Sequence, residues 1–169
     1  MDYLPLIDRS RTLYKRSDVT PIFAQPAAFA RLVEDLVRPF ERERVQLVAG
    51  LDALGFILGT AMALKLEAGF LPIRKGGKLP VLHDRESAVD YQGKEKVLEL
   101  RLNPFSAGTR VLLADDWIET GAQARAAIAL IERAGGVIVG IAAVGFRRNE
   151  RTAGLWANYR SHGVWPEQV

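Results

Sequence analysis

The 169-residue chain has no cysteine, which removes disulfides, thiolate metal sites and a cysteine nucleophile together. Histidine is almost as scarce. His83 and His162 stand apart from one another and from other ligand types, so they predict neither a metal centre nor a catalytic histidine. No stretch reaches the ~18 apolar residues of a membrane helix. The longest nearly apolar run, Gly135 to Phe146, reads as a buried central strand. The start, Met1-Asp2-Tyr3-Leu4-Pro5-Leu6, lacks the basic residues and apolar core of a secretory signal. Zinc patterns, heptads and RNA-binding signatures are missing as well. A cytoplasmic protein without nucleic-acid or membrane partners is expected. With no internal repeat, low-complexity tract or linker, residues 1–169 are expected to form one domain, with 1–20 as an N-terminal arm or hood and 150–169 as a C-terminal tail.

What the chain does contain is enough apolar material for a core. Hydrophobic residues make up 49% and charged residues 25%, a balance that excludes disorder. The net charge of +3 leaves room for anionic partners. The basic residues fall into separate groups: Arg9, Arg11, Lys15 and Arg16; Arg74, Lys75 and Lys78; Arg147, Arg148 and Arg151.

Apolar spacing predicts a helix over Ala27 to Val37, ended by Pro39, then a strand over Val45 to Ala49 entering the turn Gly50 to Gly55. A helix over Phe56 to Glu67 and a strand over Phe70 to Ile73 follow. This strand-helix-strand order returns around Val111 to Phe146. It predicts an α/β fold with a mostly parallel central sheet and helices on both faces. Ligands in such sheets sit beyond the carboxyl ends of the strands. The long connection from Lys75 to Thr109 can pair Glu86 to Tyr91 with Lys96 to Leu102 as an antiparallel hairpin bending near Gln92-Gly93, an arrangement often used as a lid.

The most informative segment is Val111 to Gln123. Val111 to Ala114 reads as a buried strand and Gln123 to Arg133 as a helix, with Thr120-Gly121-Ala122 as the joint. A helix start offers backbone N–H groups to an anion such as phosphate, and Gly121 lets the backbone approach it. Asp115 and Asp116, at the strand's carboxyl end, can accept hydrogen bonds from vicinal hydroxyls or hold a hydrated Mg²⁺.

Four segments, in order, resemble the type I phosphoribosyltransferase family, and within it the adenine branch: Pro21 to Phe29, Val48 to Gly59, Ile73-Arg74-Lys75-Gly76-Gly77-Lys78-Leu79-Pro80, and Leu113 to Gln123. The resemblance spans about Pro21 to Phe146 and implies a transferase fold with a mobile hairpin and a small hood. It implies phosphoribosyl pyrophosphate and a purine base as partners, Mg²⁺ as cofactor, and a homodimer. Asp115 and Asp116 would bind the ribose hydroxyls and, through water, the metal. Glu119, Thr120, Gly121, Ala122 and Gln123 would cradle the 5′-phosphate. Asp52, Ala53 and Leu54 would face pyrophosphate, with Arg74, Lys75 and Lys78 neutralising it, from the same or a neighbouring subunit. Asp90 and Tyr91 would belong to the mobile element. Glu119 has two readings: a base for the proton of the attacking nitrogen, or an acid favouring a helix start.

Some positions depart from the family pattern. Leu54 stands where an arginine is usual, and Ala122-Gln123 replaces Gly-Thr at the end of the phosphate loop. An extra residue, Gln92, follows the tyrosine. The stretch Thr12 to Asp18 keeps only the Asp of the segment that frames adenine. Aromatics between Leu155 and Trp165 either stack on a base or pack a terminal tail. A sensor that binds phosphoribosyl pyrophosphate or a nucleotide without catalysis is the alternative.

Overall fold

The computed structural model describes residues 2–7, 17–89 and 93–166. A short 3-10 turn at Leu4–Leu6 precedes α1 (Thr20–Phe23) and α2 (Pro26–Val37). β1 (Leu47–Leu51), α3 (Leu54–Lys65) and β2 (Gly69–Lys75) form the first strand-helix-strand unit. The hairpin β3 (His83–Val89) and β4 (Glu95–Arg101) follows, then β5 (Arg110–Ile118), α4 (Ala122–Arg133) and β6 (Val137–Phe146). α5 (Ala153–Asn158) and the short β7 (Ser161–Gly163) complete the order.

The strands make one sheet in the order β3-β4-β2-β1-β5-β6-β7. β2, β1, β5, β6 and β7 run parallel, and the β3–β4 hairpin joins antiparallel at the end of β2, where Arg74 faces Glu99 and Lys75 faces Leu98. The predicted α/β architecture is therefore present. Period-two alternation builds a core on each face of the sheet. Ala49, Val111, Leu113, Ile141 and Ala143 point to the side covered by α4, with Leu98 and Leu100 of the hairpin. Val48, Leu112, Ala114, Ala142 and Val144 point to the side covered by α2 and α3. The N-terminal Tyr3 and Ile7 are buried on that second side.

Several boundaries differ from the sequence reading. α3 begins at Leu54 rather than Phe56, and no side chain caps it to mark the start. β3 begins at His83 rather than Glu86. The largest difference is β5, which runs through both aspartates to Ile118 because Asp115 pairs with Ala143 and Trp117 with Gly145 of β6. Its alternation inverts there: Trp117 packs on the α2–α3 side and Ile118 on the α4 side. Asp115 and Asp116 sit at that change of hand. No helix among the described residues is long and apolar enough to cross a membrane.

Candidate active site

β1 is flanked by β2 on one side and β5 on the other, so the chain direction of sheet growth reverses between β1 and β5. Such a switch point opens a crevice at the carboxyl ends of the strands. Asp52 follows β1, and its N–H extends the ladder to Ile73 O at 3.1 Å. The Asp52–Ala53 peptide is cis. α3 then starts hard against β5. A Cβ on Gly55 would lie 2.9 Å from Ala114 O and 3.3 Å from Asp115 Oδ1, so only glycine allows the turn at 52–54 to approach the acids this closely.

The basic group predicted near pyrophosphate gathers around Asp52 of the same chain. Lys78 Nζ lies 3.1 Å from Asp52 Oδ2 and Arg74 Nε 3.4 Å from it, while the Asp52 side chain is only 6% exposed. Arg74 Nε is buried and aligned with no hydrogen-bond acceptor; its guanidinium lies over Phe56, 5.9 Å from the ring centroid. Burial opposes ionisation of Asp52. The Lys78 hydrogen bond, the Lys75 backbone N–H and the two lysine charges outweigh that and hold its carboxyl below the usual range.

Asp115 shows the opposite balance. Desolvation, and then the neighbouring Asp116 charge, push its carboxyl well above the usual range, with only the Asp116 N–H and the Lys75 charge opposing them. Asp115 Oδ1 accepts the Asp116 N–H at 2.9 Å. The charged form of Asp115 is thus disfavoured where it stands, and a cation or hydroxyl donor placed beside it would relieve that cost.

The loop after β5 is held by the loop after β6. Asn149 Nδ2 donates to Glu119 O at 2.9 Å, and its Oδ1 accepts the N–H groups of Arg151 and Thr152. Thr152, fully buried, donates from its hydroxyl to Arg147 O at 2.6 Å. Arg125 ties the two loops, donating to Arg151 O at 2.8 Å and Thr120 O at 3.1 Å. Gly121 precedes α4 with φ 70°, and Thr120 Oγ1 accepts the Ala122 N–H at 3.3 Å. Glu119 Oε1 is 3.9 Å from Arg147 Nε. Asn149, Thr152 and Arg125 were not legible as functional, because no local pattern links them to the loop they brace.

Leu54, half-buried at the start of α3, packs its side chain against the apolar core on the α2–α3 side. The C-terminal aromatics pack on the fold. Trp156 lies 4.5 Å from Phe146 and Trp165 lies 6.3 Å from Trp117, centroid to centroid. His162 faces Asp35 O and Phe40, lines a flank cavity of about 540 Å³ with Tyr3, Arg31 and Arg38, and is depressed by burial. None of the site carboxylates or lysines lines that cavity. The predicted Asp90 and Tyr91, with Gln92 and the stretch Thr12 to Arg16, lie outside the described residues.

The arrangement thus joins an anion-attracting helix start, a carboxylate pair and a cluster of cations at one switch point. Residues 18–159 match the family model of the phosphoribosyl transferase domain. The chain is 47% identical over 129 residues to an adenine phosphoribosyltransferase of Cereibacter sphaeroides, covering 75% of this chain and 71% of that one. It is 49% identical over 125 residues to that of Dinoroseobacter shibae, covering 74% and 69%. The crystal structure of the Rhodothermus marinus adenine phosphoribosyltransferase superposes with a TM-score of 0.87 at 34% identity, covering 96% of this chain and 97% of that one. The Saccharomyces cerevisiae enzyme, complexed with an imino-altritol bisphosphate and adenine, gives 0.85 at 26% identity, covering 96% and 98%. On the family match and these identities, the chain belongs to the phosphoribosyltransferase family.

Proposed function

We propose that this protein transfers the phosphoribosyl group of phosphoribosyl pyrophosphate to a purine base, adenine first among them, giving a nucleoside 5′-monophosphate and pyrophosphate. One observation carries the reading: Asp115, on the strand that runs on into the 119–123 loop, lies against the turn after Asp52, on which Arg74 and Lys78 converge. That combination of groups suits a donor with phosphate at one end, diphosphate at the other and hydroxyls between.

In the transfer, a base nitrogen forms its bond to the anomeric carbon as the bond to pyrophosphate breaks, and the electron pair leaves with pyrophosphate. The base nitrogen then loses its proton. Positive charge builds on the sugar and negative charge on the leaving group, so groups aimed at each end lower the barrier. Arg74, Lys75 and Lys78 neutralise pyrophosphate. Asp115 and Asp116 hold the ribose hydroxyls and face the growing positive charge. Backbone N–H groups of Thr120 to Gln123 anchor the 5′-phosphate, and Glu119 accepts the base proton, directly or through water.

The donor set fits Mg²⁺ in one way. Carboxylate oxygens are hard ligands, and the raised Asp115 gains from a nearby cation. Among the described residues no group of three carboxylate, imidazole or thiol ligands could hold a metal alone. Asp115 and Asp116 would hold Mg²⁺ there through water. Bound there, the ion would help to neutralise the charge of pyrophosphate. A homodimer is supported by exposed Ile57 and Leu64 on the outer face of α3.

Leu54 favours one second reading. With its side chain on the apolar side, the pyrophosphate end has one cation fewer than the family pattern, as in a sensor that binds the donor without using it. Calorimetric titration of phosphoribosyl pyrophosphate with Mg²⁺ tests the shared premise. Both readings expect binding that Asp115→Asn/Asp116→Asn abolishes, and full-strength binding by that variant contradicts both.

A further inference from the structure

Outside the acids already described, Glu99 stands out as a buried carboxylate, 5% exposed. It stands on β4 opposite Arg74 of β2. Its Oε1 accepts the Gly77 N–H at 2.6 Å, and its Oε2 accepts the N–H groups of Lys78 and Leu79, each at 3.3 Å. His83 Nε2 approaches the same carboxylate at 3.4 Å. Three consecutive N–H groups converging on one anion form a nest. Here the anion is part of the protein.

The turn so gripped is Gly76 to Leu79. Gly77 takes φ 79°, and the turn carries Lys78, whose ammonium reaches Asp52 at 3.1 Å. Without the carboxylate, the Gly77, Lys78 and Leu79 N–H groups of this exposed turn would face water, and only the Gly76 N–H to Val97 O bond at 2.8 Å would still tie the turn to β4. We propose that Glu99 is a positioning residue for pyrophosphate: it holds the 76–79 turn in shape before the ligand arrives and so presents Lys78 to the leaving group. This rests on the phosphoribosyltransferase reading above.

Burial opposes ionisation of Glu99, yet the nest N–H groups and His83 keep its carboxyl below the usual range, led by the Gly77 bond. It is therefore a charged acceptor at neutral pH. Glu99→Gln keeps the shape but removes the charge and turns an amide NH₂ toward N–H groups. Gly77→Pro attacks the same turn from outside the core, deleting the N–H of the 2.6 Å bond and forbidding the observed φ.

The test is calorimetric titration of inorganic pyrophosphate with Mg²⁺, and separately of adenine, into wild type, Glu99→Gln, Gly77→Pro, Lys78→Ala and the Glu99→Gln/Lys78→Ala pair. Thermal unfolding checks that each is folded. The expected result is pyrophosphate affinity about tenfold weaker in Glu99→Gln and in Gly77→Pro, with adenine affinity unchanged. Glu99→Gln should also add no further loss to Lys78→Ala, since it acts through that lysine. Pyrophosphate binding in Glu99→Gln equal to or tighter than wild type overturns the inference, as does a full additive loss in the pair. If Glu99→Gln does not fold, Gly77→Pro decides alone by the same criterion. Wild type that fails to bind pyrophosphate overturns the functional reading instead.

Discussion

Replacing Gly121 by alanine tests whether the phosphate loop depends on one backbone conformation. The residue has φ 70°, and an added Cβ would fall 2.6 Å from Leu155 Cδ1 and 2.9 Å from Arg125 Nη1. The left-handed conformation alone costs a non-glycine residue about 1 kcal/mol. Leu155 is 2% exposed and packed in the core, so its retreat adds overpacking strain of about 1–2 kcal/mol. Arg125 can move, but only by loosening its bonds to Thr120 O and Arg151 O. The sum is about 2–3 kcal/mol, or a Tm lower by about 5–10 °C for a chain of this size. The same displacement shifts the N–H groups of α4, so ribose 5-phosphate should bind more weakly, by about tenfold or more. Differential scanning calorimetry and a ribose 5-phosphate titration read the two effects. Gly154→Ala is the control, because nothing lies within 4 Å of its Cβ and Tm should not fall. A Gly121→Ala protein within 1 °C or so of wild type, binding ribose 5-phosphate normally, would show that the loop does not depend on this backbone conformation.

Asp115→Asn should raise Tm at neutral pH while abolishing donor binding. The folded-state carboxyl is raised, so its ionisation costs stability increasingly as pH climbs from the unfolded value of about 3.9 through the folded one; equal or lower Tm at pH 7 contradicts this. Asp52 has the reverse sign. Its lowered carboxyl contributes stability above about pH 3.9 that is lost as pH falls through the folded value, so Asp52→Asn should flatten the acid limb of a Tm-versus-pH curve. Leu54→Arg should tighten pyrophosphate binding at a stability cost of about 1 kcal/mol for the lost apolar contact, and unchanged affinity would show that the position does not face the ligand. Arg133→Ala should speed hydrogen exchange along β3, because Arg133 ties α4 to Asp84 at 2.9 Å, Glu86 at 2.5 Å and Arg85 O at 3.1 Å; exchange in β3 identical to wild type counts against that clamp.

The sequence carried the sheet and the acidic turn because both rest on local pattern. Val111 to Ala114 is an uninterrupted apolar run ended by Asp115-Asp116, and Thr120-Gly121 then marks the turn before an alanine-rich helix. The extension of β5 through Asp115, Asp116 and Trp117 was not legible. Acids have poor strand propensity, and only pairing with β6 forces them into the ladder. Glu99 lay hidden for a related reason: between Leu98 and Leu100 it reads as one outward charge, and its burial depends on a turn twenty residues away in sequence. The bracing of Glu119 by Asn149 and the clamp of Arg133 on β3 likewise join residues 30 and 49 apart, beyond any local periodicity. β7 is only three residues long and owes its place to β6, so the expected tail gave no strand signal.

The central claim is that the switch-point crevice moves a phosphoribosyl group to a purine. The purified protein should be incubated with Mg²⁺, phosphoribosyl pyrophosphate and, separately, adenine, hypoxanthine, guanine and xanthine, with nucleotide and pyrophosphate followed by mass spectrometry. Adenosine 5′-monophosphate and pyrophosphate are expected in equal amounts, lost in Asp115→Asn/Asp116→Asn. Donor binding with no nucleotide from any of the four bases would contradict it.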